Sequence, residues 1–353
     1  MSDLVPPSLI SIAQRVENRL EQFLTAEEER WSSFDSDLAL PVGEVRRLVL
    51  SGGKRLRPAF CYWGFVGAGG AENADTVIDV GAALELLHAF ALFHDDIMDG
   101  STSRRGVSVT HEVFAAEHRH QGASGEDRRY GEGVAILVGD LAFVYSDQLI
   151  AGISDVARRI WDELRIELNI GQLLDLMGTA RQERRRFKSE RICRYKSGKY
   201  TIERPLHLGA MVAAPQQQQN LLPLLSAYGL PLGDAFQMRD DVMGVFGDSE
   251  QTGKPVGDDL REGKPTPLLA LTCERATAAQ MATLQRVGRD VLSDDDVAEV
   301  QDIMRTTGAL AEMESVIDRL VSEAIHALDF LPFSPEVKKE LEDLAQYVSA
   351  RLV

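Results

Sequence analysis

Residues 75–99 read DTVIDVGAALELLHAFALFHDDIMD, and this stretch decides the fold. Its centre is apolar apart from Glu85 and His88. A run of this length with helical spacing predicts a buried α-helix rather than a strand. The run ends on three carboxylates, and the first and last share a helix face because they are four residues apart: Asp95, Asp96 and Asp99.

A second acidic group lies in another apolar helical stretch, residues 221–243, which contains Asp240 and Asp241. Helical spacing places Gln237 and Gly244 on the same stripe as these carboxylates. Buried carboxylates need a partner charge or a metal. Aspartate oxygens suit Mg²⁺, which is usually bound together with substrate phosphates. The two acidic groups therefore indicate diphosphate chemistry.

An aspartate-rich helix end can also be a solvated cap, and a single short motif such as DDxxD often occurs by chance. Two such groups flanked by apolar residues make this alternative less favoured. The second group has Gly244 where a matching motif would place a third aspartate. We therefore expect one direct metal ligand there and one carboxylate that supports a bound water.

The composition bounds the class of protein. The chain has 353 residues, 44% of them hydrophobic, and a formal net charge of -17. That charge argues against general nucleic-acid binding, which draws on clustered Lys and Arg. The three cysteines, Cys61, Cys193 and Cys273, show no metal-binding spacing and are expected to be reduced. No signal peptide or membrane span is apparent, so we expect a cytoplasmic protein.

Helical periodicity recurs along the whole chain, and strand signals are scarce. We predict helices after residue 267 and over residues 8–26, 41–50, 58–66, 75–99, 133–153, 160–178, 184–196, 199–212 and 221–243. Residues 118–131 read HRHQGASGEDRRYG and are predicted to form a polar surface loop. No linker requires a domain boundary, so the prediction is a single all-α domain over residues 1–353.

Basic residues complete the pattern. Lys54 and Arg57 lie three apart at the start of a predicted helix, where free backbone amides and positive side chains make an anion site. Further cations follow the first acidic group or lie in turns: Arg104, Arg105, Lys196, Lys199, Lys254 and Lys264. Together they indicate two anion sites, one diphosphate held through metals and another held directly by Arg and Lys.

Five ordered motifs resemble those of the trans-prenyltransferases, the isoprenyl diphosphate synthases. They are GGKRLRP (52–58), HAFALFHDDIMDGSTSRRG (88–106), YKSGKYT (195–201), FQMRDDVMGVFGD (236–248) and TGKPVGDDLREGKPT (252–266). Five motifs in order are far more specific than any one of them, and the resemblance runs from about residue 16 to 344. It implies an all-helical fold around a deep central cavity, and a homodimer.

The resemblance implies a role for each matching position. Mg²⁺, as three ions with substrate bound, would be held by Asp95, Asp96, Asp99 and Asp240, with Asp241 in support. The allylic diphosphate would meet Arg104, Lys196, Ser197 and Lys254, and Lys264 would meet a diphosphate or its metal. Isopentenyl diphosphate would be bound by Lys54, Arg57, His88 and Arg105. Gln237 would face the developing cation, and the implied catalytic residues are Asp95, Asp96, Lys196, Gln237 and Asp240.

The implied reaction extends an allylic diphosphate (dimethylallyl, geranyl or farnesyl) by one isoprene unit. Metal ions and cationic side chains would stabilise the departing diphosphate while the allylic C–O bond ionises. The carbocation needs a dry pocket. The double bond of isopentenyl diphosphate then attacks, and a proton leaves, with diphosphate as the expected base.

Product length would depend on the helix before the first acidic group. Phe90 lies five residues before Asp95, about 7.5 Å along the helix at ~1.5 Å per residue, and is predicted to form the cavity floor. Ala91 is small, and Leu87, one turn deeper, would limit further growth. This pattern resembles bacterial and archaeal geranylgeranyl diphosphate synthases. Phe90 can alternatively pack between helices, as aromatic residues often do.

Other functions stay open. A farnesyl or longer-chain synthase would share these motifs, whereas a terpene cyclase need not keep GGKRLRP and Arg105. A non-catalytic regulatory subunit that binds prenyl diphosphates would show eroded acidic groups, and here only Gly244 departs. A purely structural helical protein would have no use for so many carboxylates in apolar surroundings. His88 could be a packed core histidine, but its seven-residue spacing from Asp95 favours the binding role.

Overall fold

The structure is a computed structural model that describes residues 5–104, 106–247 and 256–349. The first two helices, α1 (Pro7–Ser32) and α2 (Ser36–Leu50), pack against each other. α2 begins where the side chain of Asp35 accepts a hydrogen bond from the backbone N–H of Asp37 at 3.0 Å. α1 buries about one apolar side chain per turn: Leu9, Ile12, Val16, Leu20 and Leu24.

The remaining helices follow with short connections and one small hairpin. The hairpin pairs β1 (Ser103–Arg104) with β2 (Val107–Ser108) in antiparallel fashion. A π-helix (Arg194–Glu203) joins two of the α-helices. The α-helices are α3 (Leu56–Gly67), α4 (Asp75–Asp99), α5 (Thr110–His120), α6 (Asp127–Leu149), α7 (Asp155–Ala180), α8 (Arg186–Cys193), α9 (Arg204–Ala213), α10 (Gln218–Phe246), α11 (Asp258–Glu262), α12 (Pro267–Arg275), α13 (Ala278–Leu284), α14 (Asp294–Thr306), α15 (Ala309–Ala327) and α16 (Pro335–Ser349).

α4 lies in the core, and its bounds are those predicted. It packs against α1, α3 and α6, and it buries Glu85 among its apolar side chains. By length and composition α4 could cross a membrane, but 67% of its apolar window is buried inside the protein, as in the core helix of a globular protein. The helix ends at Gly100, which has left-handed backbone (φ 65°) directly after Asp99.

The polar segment predicted as a loop is mostly helical. α5 ends at His120 and α6 begins at Asp127, so the loop comprises residues 121–126. Arg128 and Glu132 form an i,i+4 pair at 2.8 Å in the first turns of α6. Gly131 lies where α6 approaches α5, because a Cβ there would be 2.1 Å from the backbone oxygen of His111. A glycine that suggested a loop therefore serves helix packing.

The π-helix connects α8 to α9, where two separate helices were predicted. Its residue Gly198 lies against the backbone of α10, since a Cβ on Gly198 would be 2.9 Å from the carbonyl carbon of Gly233. π-helical turns are rare and often occur at functional sites. This one presents Lys196, Ser197 and Tyr200 to the cavity described below.

α10 is the second long core helix and extends beyond the predicted residues 221–243 at both ends. The segment after it was predicted as a loop, and its described part contains the short helix α11. Buried side chains contributed by helices from α1 to α16 form one continuous hydrophobic cluster. This cluster holds the acidic ends of α4 and α10 beside one cavity.

Candidate active site

A cavity of about 820 Å³ takes in the acidic ends of both long helices. From α4 it is lined by His88, Ala91, Leu92 and Asp95, and from α10 by Phe236, Gln237, Asp240, Asp241 and Gly244. We call Asp95, Asp96 and Asp99 the first wall, and Asp240 and Asp241 the second wall. Both walls contribute carboxylates to the same cavity.

Asp95 lies at the centre of a charged network on the first wall. Its Oδ1 accepts hydrogen bonds from Gln172 at 2.8 Å and from Lys196 at 3.2 Å. Burial alone would raise its pKa, but Lys196, Lys264 and Arg104 outweigh burial and lower the pKa of Asp95 to about 2. Asp95 is therefore a carboxylate at neutral pH.

Asp96 is held by Arg104 and is absent from the cavity lining, although it was predicted to be a metal ligand and a catalytic residue. Nε and Nη2 of Arg104 lie 3.1 and 2.7 Å from Asp96 Oδ1, and Asp96 is 5% exposed. Arg104 itself lines the cavity, and its Nη2 lies 3.8 Å from Asp95 Oδ2. The carboxylate of Asp96 thus holds the guanidinium of Arg104, and its role as a metal ligand stays a prediction.

Asp99 and Lys264 meet at the edge of the cavity. Asp99 lines a smaller adjoining pocket, and burial together with the charge of Asp95 raises the pKa of Asp99. Lys264 Nζ lies 3.3 Å from Asp99 and 3.7 Å from Asp259. Although burial disfavours its charge, the surrounding carboxylates, Asp259 first, raise the pKa of Lys264. One ammonium thus connects the first wall with the segment that follows α10.

The second wall contains a carboxylate that is not matched by a direct ion pair in the described structure. Asp241 is 5% exposed, accepts a hydrogen bond from Gln237 at 2.8 Å, and receives the thiol of Cys193 at 3.4 Å. Burial and the like charge of Asp259 raise the pKa of Asp241 to about 7. Asp240 lines the cavity beside it.

A second basic group lines the same cavity. Arg57 donates to the hydroxyl of Tyr200 and to Thr201 Oγ1 at 3.1 Å, and its guanidinium lies 4.2 Å from the centre of the Tyr200 ring. Nδ1 of His88 lies 2.7 Å from the same hydroxyl. Lys54 also lines the cavity. The predicted residues Lys54, Arg57 and His88 are therefore brought to one cavity, where they can bind an anion.

Arg55, between Lys54 and Arg57 in sequence, is used within the protein. It has left-handed backbone (φ 50°) and is 5% exposed. Its guanidinium pairs with Glu85 at 2.5 Å and with Glu17 at 3.1 Å. The GGKRLRP motif thus divides its basic residues between the cavity and the core.

The remaining predicted positions are distributed unevenly. Ser197 and Gln237 line the cavity. Three residues were predicted to set product length, and Ala91 is the only one of these three that lines the cavity. Leu87 is fully buried. The Phe90 ring packs on Phe143 of α6 at 4.8 Å and on His94 at 4.7 Å between centroids. Arg105 and Lys254 lie outside the described residues.

The position of Phe90 differs from the predicted cavity floor for a geometric reason. Five residues of an α-helix rotate a side chain by about 140° from its starting direction. Phe90 therefore faces α6 while Asp95 faces the cavity, and Ala91 takes the cavity side. The prediction allowed for the rise along the helix and neglected the rotation.

Sequence reasoning missed several residues of the cavity lining: Gln172, Asp175, Tyr200, Thr201 and Asp259. Asp175 pairs with Lys196 at 2.5 Å. Gly171 permits this contact, since a Cβ there would lie 2.4 Å from the backbone nitrogen of Lys196. Gln172 and Asp175, three residues apart in the apolar sequence IGQLLDLM, were a usable signal.

A polar network supports the π-helix from behind. Glu167 on α7 accepts hydrogen bonds from Arg204 at 2.6 and 2.7 Å and from Lys199. His207 follows on α9, where its Nε2 lies 3.1 Å from Ser226 Oγ. Burial, with the charge of Arg204, lowers the pKa of His207 to about 3, so this histidine is neutral at pH 7. The network fixes the segment that carries Lys196.

The oxygen donors of the two walls fit a divalent cation of the Mg²⁺ type. Asp99 and Asp241 have raised pKa values because burial and neighbouring carboxylates disfavour their charge, and a bound cation would relieve both effects. Within residues 5–104, 106–247 and 256–349, no three His, Cys, Asp or Glu side chains converge into a complete protein site.

Comparison with known proteins identifies the family. Residues 43–305 match the family described as polyprenyl synthetase. The structure of geranylgeranyl pyrophosphate synthase from Corynebacterium glutamicum, complexed with isoprenyl diphosphate and magnesium, is 37% identical with a TM-score of 0.91, covering 97% of this chain and 99% of that chain.

Two curated relatives show the range of products. Geranylfarnesyl diphosphate synthase from Aeropyrum pernix is 32% identical over 311 residues, 86% of this chain and 91% of the relative. Heptaprenyl diphosphate synthase component 2 from Geobacillus stearothermophilus is 29% identical over 338 residues, which are 94% of this chain and 96% of the relative.

The predicted all-helical fold around a cavity is confirmed. The chain therefore belongs to the polyprenyl synthetase family of trans-prenyl diphosphate synthases and is a prenyltransferase.

Proposed function

We propose that this enzyme condenses isopentenyl diphosphate with allylic diphosphates and makes geranylgeranyl diphosphate. One observation carries the proposal: a single cavity is lined by carboxylates from α4 and α10 and by basic residues from GGKRLRP and from the π-helix. Two anionic substrates and a divalent cation can be held there together. The relative from C. glutamicum, named a geranylgeranyl synthase, supports the product assignment.

Asp95, Asp99 and Asp240 would hold Mg²⁺, as three ions with substrate bound, and Asp241 would support the second wall. When bound, these ions supply positive charge to the diphosphate leaving group. Asp96 holds Arg104 in position. Because the pKa of Asp95 is about 2, this carboxylate is ionised before any cation arrives.

The chain's own cations would position the allylic diphosphate. Lys196 and Arg104 lie against Asp95 on the cavity lining, Ser197 follows in the π-helix, and Lys264 lies against Asp99. Lys254, in the same motif as Lys264, is proposed from the sequence alone. These donors stabilise the negative charge that develops on the leaving oxygen, in a site where such charges act strongly.

Isopentenyl diphosphate would bind at Lys54, Arg57 and His88, with Arg105 proposed from the sequence. Tyr200 orients two of these residues, because its hydroxyl contacts both Arg57 and His88. The amide of Gln237 faces the cavity and can stabilise an adjacent cation. Ala91, Leu92, Leu168 and Phe236 provide apolar lining that excludes water from a reactive carbocation.

We further propose that two copies of the chain form a homodimer through α6 and α7. The end of α6 is joined to α7 by side chains, since Asp147 of α6 accepts hydrogen bonds from Arg158 and Arg165 of α7, each at 2.9 Å. Both expose large apolar side chains, including Leu137 (67% exposed) and Leu173 (56%). Apolar surface of this kind usually marks a protein interface. Light scattering should give a dimer for the native chain and a monomer for Leu137→Glu/Leu173→Glu; a monomeric native chain would contradict the proposal.

Product analysis tests the function. Purified enzyme is incubated with labelled isopentenyl diphosphate, Mg²⁺ and dimethylallyl, geranyl or farnesyl diphosphate in turn, and the dephosphorylated products are separated by chromatography. The C20 alcohol should dominate. A C15 or longer alcohol would show a farnesyl or longer-chain synthase. Substrate binding without any product would favour a regulatory subunit, a class to which the name "component 2" of one relative draws attention.

A further inference from the structure

A short basic stretch stands out in an acidic chain. Residues 181–194 read RQERRRFKSERICR and contain seven basic and two acidic side chains, a formal charge of +5 in a chain of -17. We call this stretch the basic segment. It begins directly after α7 and contains the whole of α8. None of its seven basic side chains has a part in the proposed reaction.

The two faces of α8 have different surroundings. The inner face buries Ser189, Ile192 and Cys193, and the last two line the cavity. The outer face carries Phe187, which is 55% exposed, and Arg191, which follows four residues later and therefore lies on the same side of the helix. One helix thus separates the cavity from a basic outer surface with an exposed aromatic ring.

Part of the positive charge is not neutralised within the protein. Glu183 serves two cations, since its carboxylate lies 2.6 Å from Arg185 and 3.1 Å from Lys188. Arg181 and Arg191 are exposed, and neither pairs with a carboxylate in the part of the chain that the structure describes. Two further cations are paired: Arg186 with Glu190 and Arg194 with Asp234. The segment therefore presents more positive than negative charge to its surroundings.

We propose that the basic segment docks the enzyme on the surface of a bilayer that contains anionic lipids. The outer face of α8 lies against the headgroups, and Phe187 enters the boundary with the acyl chains. Clusters of Lys and Arg on a helix that also exposes an aromatic residue bind anionic bilayers in this way. The guanidinium of Arg185 lies 5.9 Å from the centre of the Phe187 ring, so charge and apolar surface are offered at one point.

The acidity of the whole chain does not oppose this contact. At physiological ionic strength the Debye length is about 8 Å, so a lipid surface interacts with the side chains that approach it and little with those on the far side of the protein. The acidic faces are repelled by the same surface. Charge asymmetry therefore selects the orientation in which α8 faces the bilayer.

Docking at α8 suits the chemistry of the product. The C20 diphosphate proposed above has a long apolar tail, whose transfer from water into an apolar phase is favourable. Because Ile192 and Cys193 of α8 line the cavity, a bilayer on the outer face of this helix is an apolar acceptor close to the cavity. This consequence rests on the proposed function, whereas docking itself does not. The apolar product and the exposed Phe187 favour a bilayer over a polynucleotide as the partner.

Co-sedimentation of the full chain with vesicles tests the docking. Vesicles of phosphatidylcholine and phosphatidylglycerol in equal parts should bind the native chain, and vesicles of phosphatidylcholine alone should bind it far less. Binding should fall sharply between roughly 0.1 M and 1 M salt, as the Debye length shortens from about 10 to about 3 Å. Phe187→Ala should weaken binding about threefold or more, because apolar area is no longer buried.

Charge reversal gives the largest expected change. Arg181→Glu/Arg191→Glu should weaken binding about 25-fold or more, since each Lys or Arg near an anionic surface contributes about fivefold in affinity. Arg129→Glu/Arg319→Glu makes the same charge change at two exposed arginines of α6 and α15 and should bind like the native chain. Circular dichroism and light scattering verify that all variants keep the native fold and oligomeric state.

Four results would overturn the proposal. They are no binding of the native chain to anionic vesicles, equal binding to neutral vesicles, equal binding by native chain and folded Arg181→Glu/Arg191→Glu, and binding of polyuridylate without binding of vesicles. Unchanged binding by folded Phe187→Ala would overturn the part assigned to the ring.

Turnover of soluble substrates with Mg²⁺ separates docking from the proposed function. Arg181→Glu/Arg191→Glu should make product at the native rate in the absence of vesicles, which shows that its loss of vesicle binding is a loss of docking. A native chain that binds anionic vesicles and makes no product would refute the proposed function and leave the docking surface in place.

Discussion

The two acidic walls differ in how their charge is balanced. On the first wall, Asp95 meets Lys196 and Arg104, and Asp99 meets Lys264. On the second wall, Asp241 has an amide and a thiol as hydrogen-bond partners and the carboxylate of Asp259 as a neighbour. Asp95 on the first wall is therefore ionised and oriented by the protein, whereas Asp241 on the second wall depends on an added cation to become fully charged.

This comparison predicts unequal effects of matched substitutions. Asp95→Asn should lower kcat by about 10³-fold or more, because it removes preorganised charge from the reacting centre. Asp241→Asn should lower kcat by about 10–100-fold, as expected for a group that supports a metal ligand. Steady-state kinetics with isopentenyl and farnesyl diphosphates would measure both.

Folding provides the control for Asp95→Asn. Lys196 keeps its ion pair with Asp175 at 2.5 Å in that variant, so no buried ammonium is left without a partner. The melting temperature should change little. Equal losses of kcat in the two variants would remove the proposed difference between the walls.

The apolar side of the first wall can be tested independently. Ala91 lines the cavity one turn before Asp95, whereas Phe90 packs on Phe143. Ala91→Phe should shorten the main product by one or more isoprene units because its ring occupies cavity volume. Phe90→Ala should leave product length unchanged and lower stability by about 3 kcal/mol, as loss of a packed aromatic ring usually does.

Chromatography of dephosphorylated products distinguishes the two positions. Longer products from Phe90→Ala, with unchanged products from Ala91→Phe, would restore the original assignment of Phe90 as the cavity floor. The two variants are neighbours on one helix, so each controls for general disturbance of α4.

The second wall should respond to pH. The pKa of Asp241 is about 7 in the folded protein against an ordinary value of 3.8. Its stabilising contribution is therefore complete below pH 3.8 and is lost as pH rises through 7. Without Mg²⁺, this group should lower the free energy of unfolding by roughly 4 kcal/mol as pH rises across that interval. Mg²⁺ favours the ionised form, so Mg²⁺ should bind more tightly at pH 8 than at pH 6.

Unfolding curves between pH 5 and 8, with EDTA or with Mg²⁺, would measure this dependence. Asp241→Asn keeps the size and hydrogen-bonding capacity of the side chain but cannot ionise, so its stability should be flatter with pH. The same pH slope in the native chain and in Asp241→Asn would show that another group is responsible.

The sequence predicted the parts of the site that depend on helical spacing. Asp95, His88 and Asp240 follow from periodicity on α4 and α10. The contact between Asp96 and Arg104 was not predicted because Arg104 lies in a hairpin whose path periodicity does not determine. Asp259 was missed because it enters from a Gly- and Asp-rich segment, and its contact with Gly244 exists only in three dimensions. Helical periodicity determines which face of a helix a side chain lies on. Contacts between segments that are distant in sequence can be identified only from the three-dimensional structure.

The smallest predicted effect concerns the support of the first wall. His207 belongs to the network behind the π-helix, and its pKa is about 3 in the folded protein against an ordinary value of 6.5. Its contribution to stability is therefore present above pH 6.5 and is lost as pH falls toward 3. At pH 4.5, protonation of His207 should lower the free energy of unfolding of the native chain by about 3 kcal/mol relative to pH 7.

Urea unfolding at pH 7 and pH 4.5 would measure this loss. His207→Gln removes the titrating ring, so its stability should fall less on acidification. His326→Gln, at a histidine whose side chain is 75% exposed, should behave like the native chain. If His207→Gln and the native chain lose equal stability, the acid sensitivity comes from other groups. If they differ as expected, the neutral form of His207 stabilises the network behind the π-helix, whereas the second wall depends on the ionisation of Asp241.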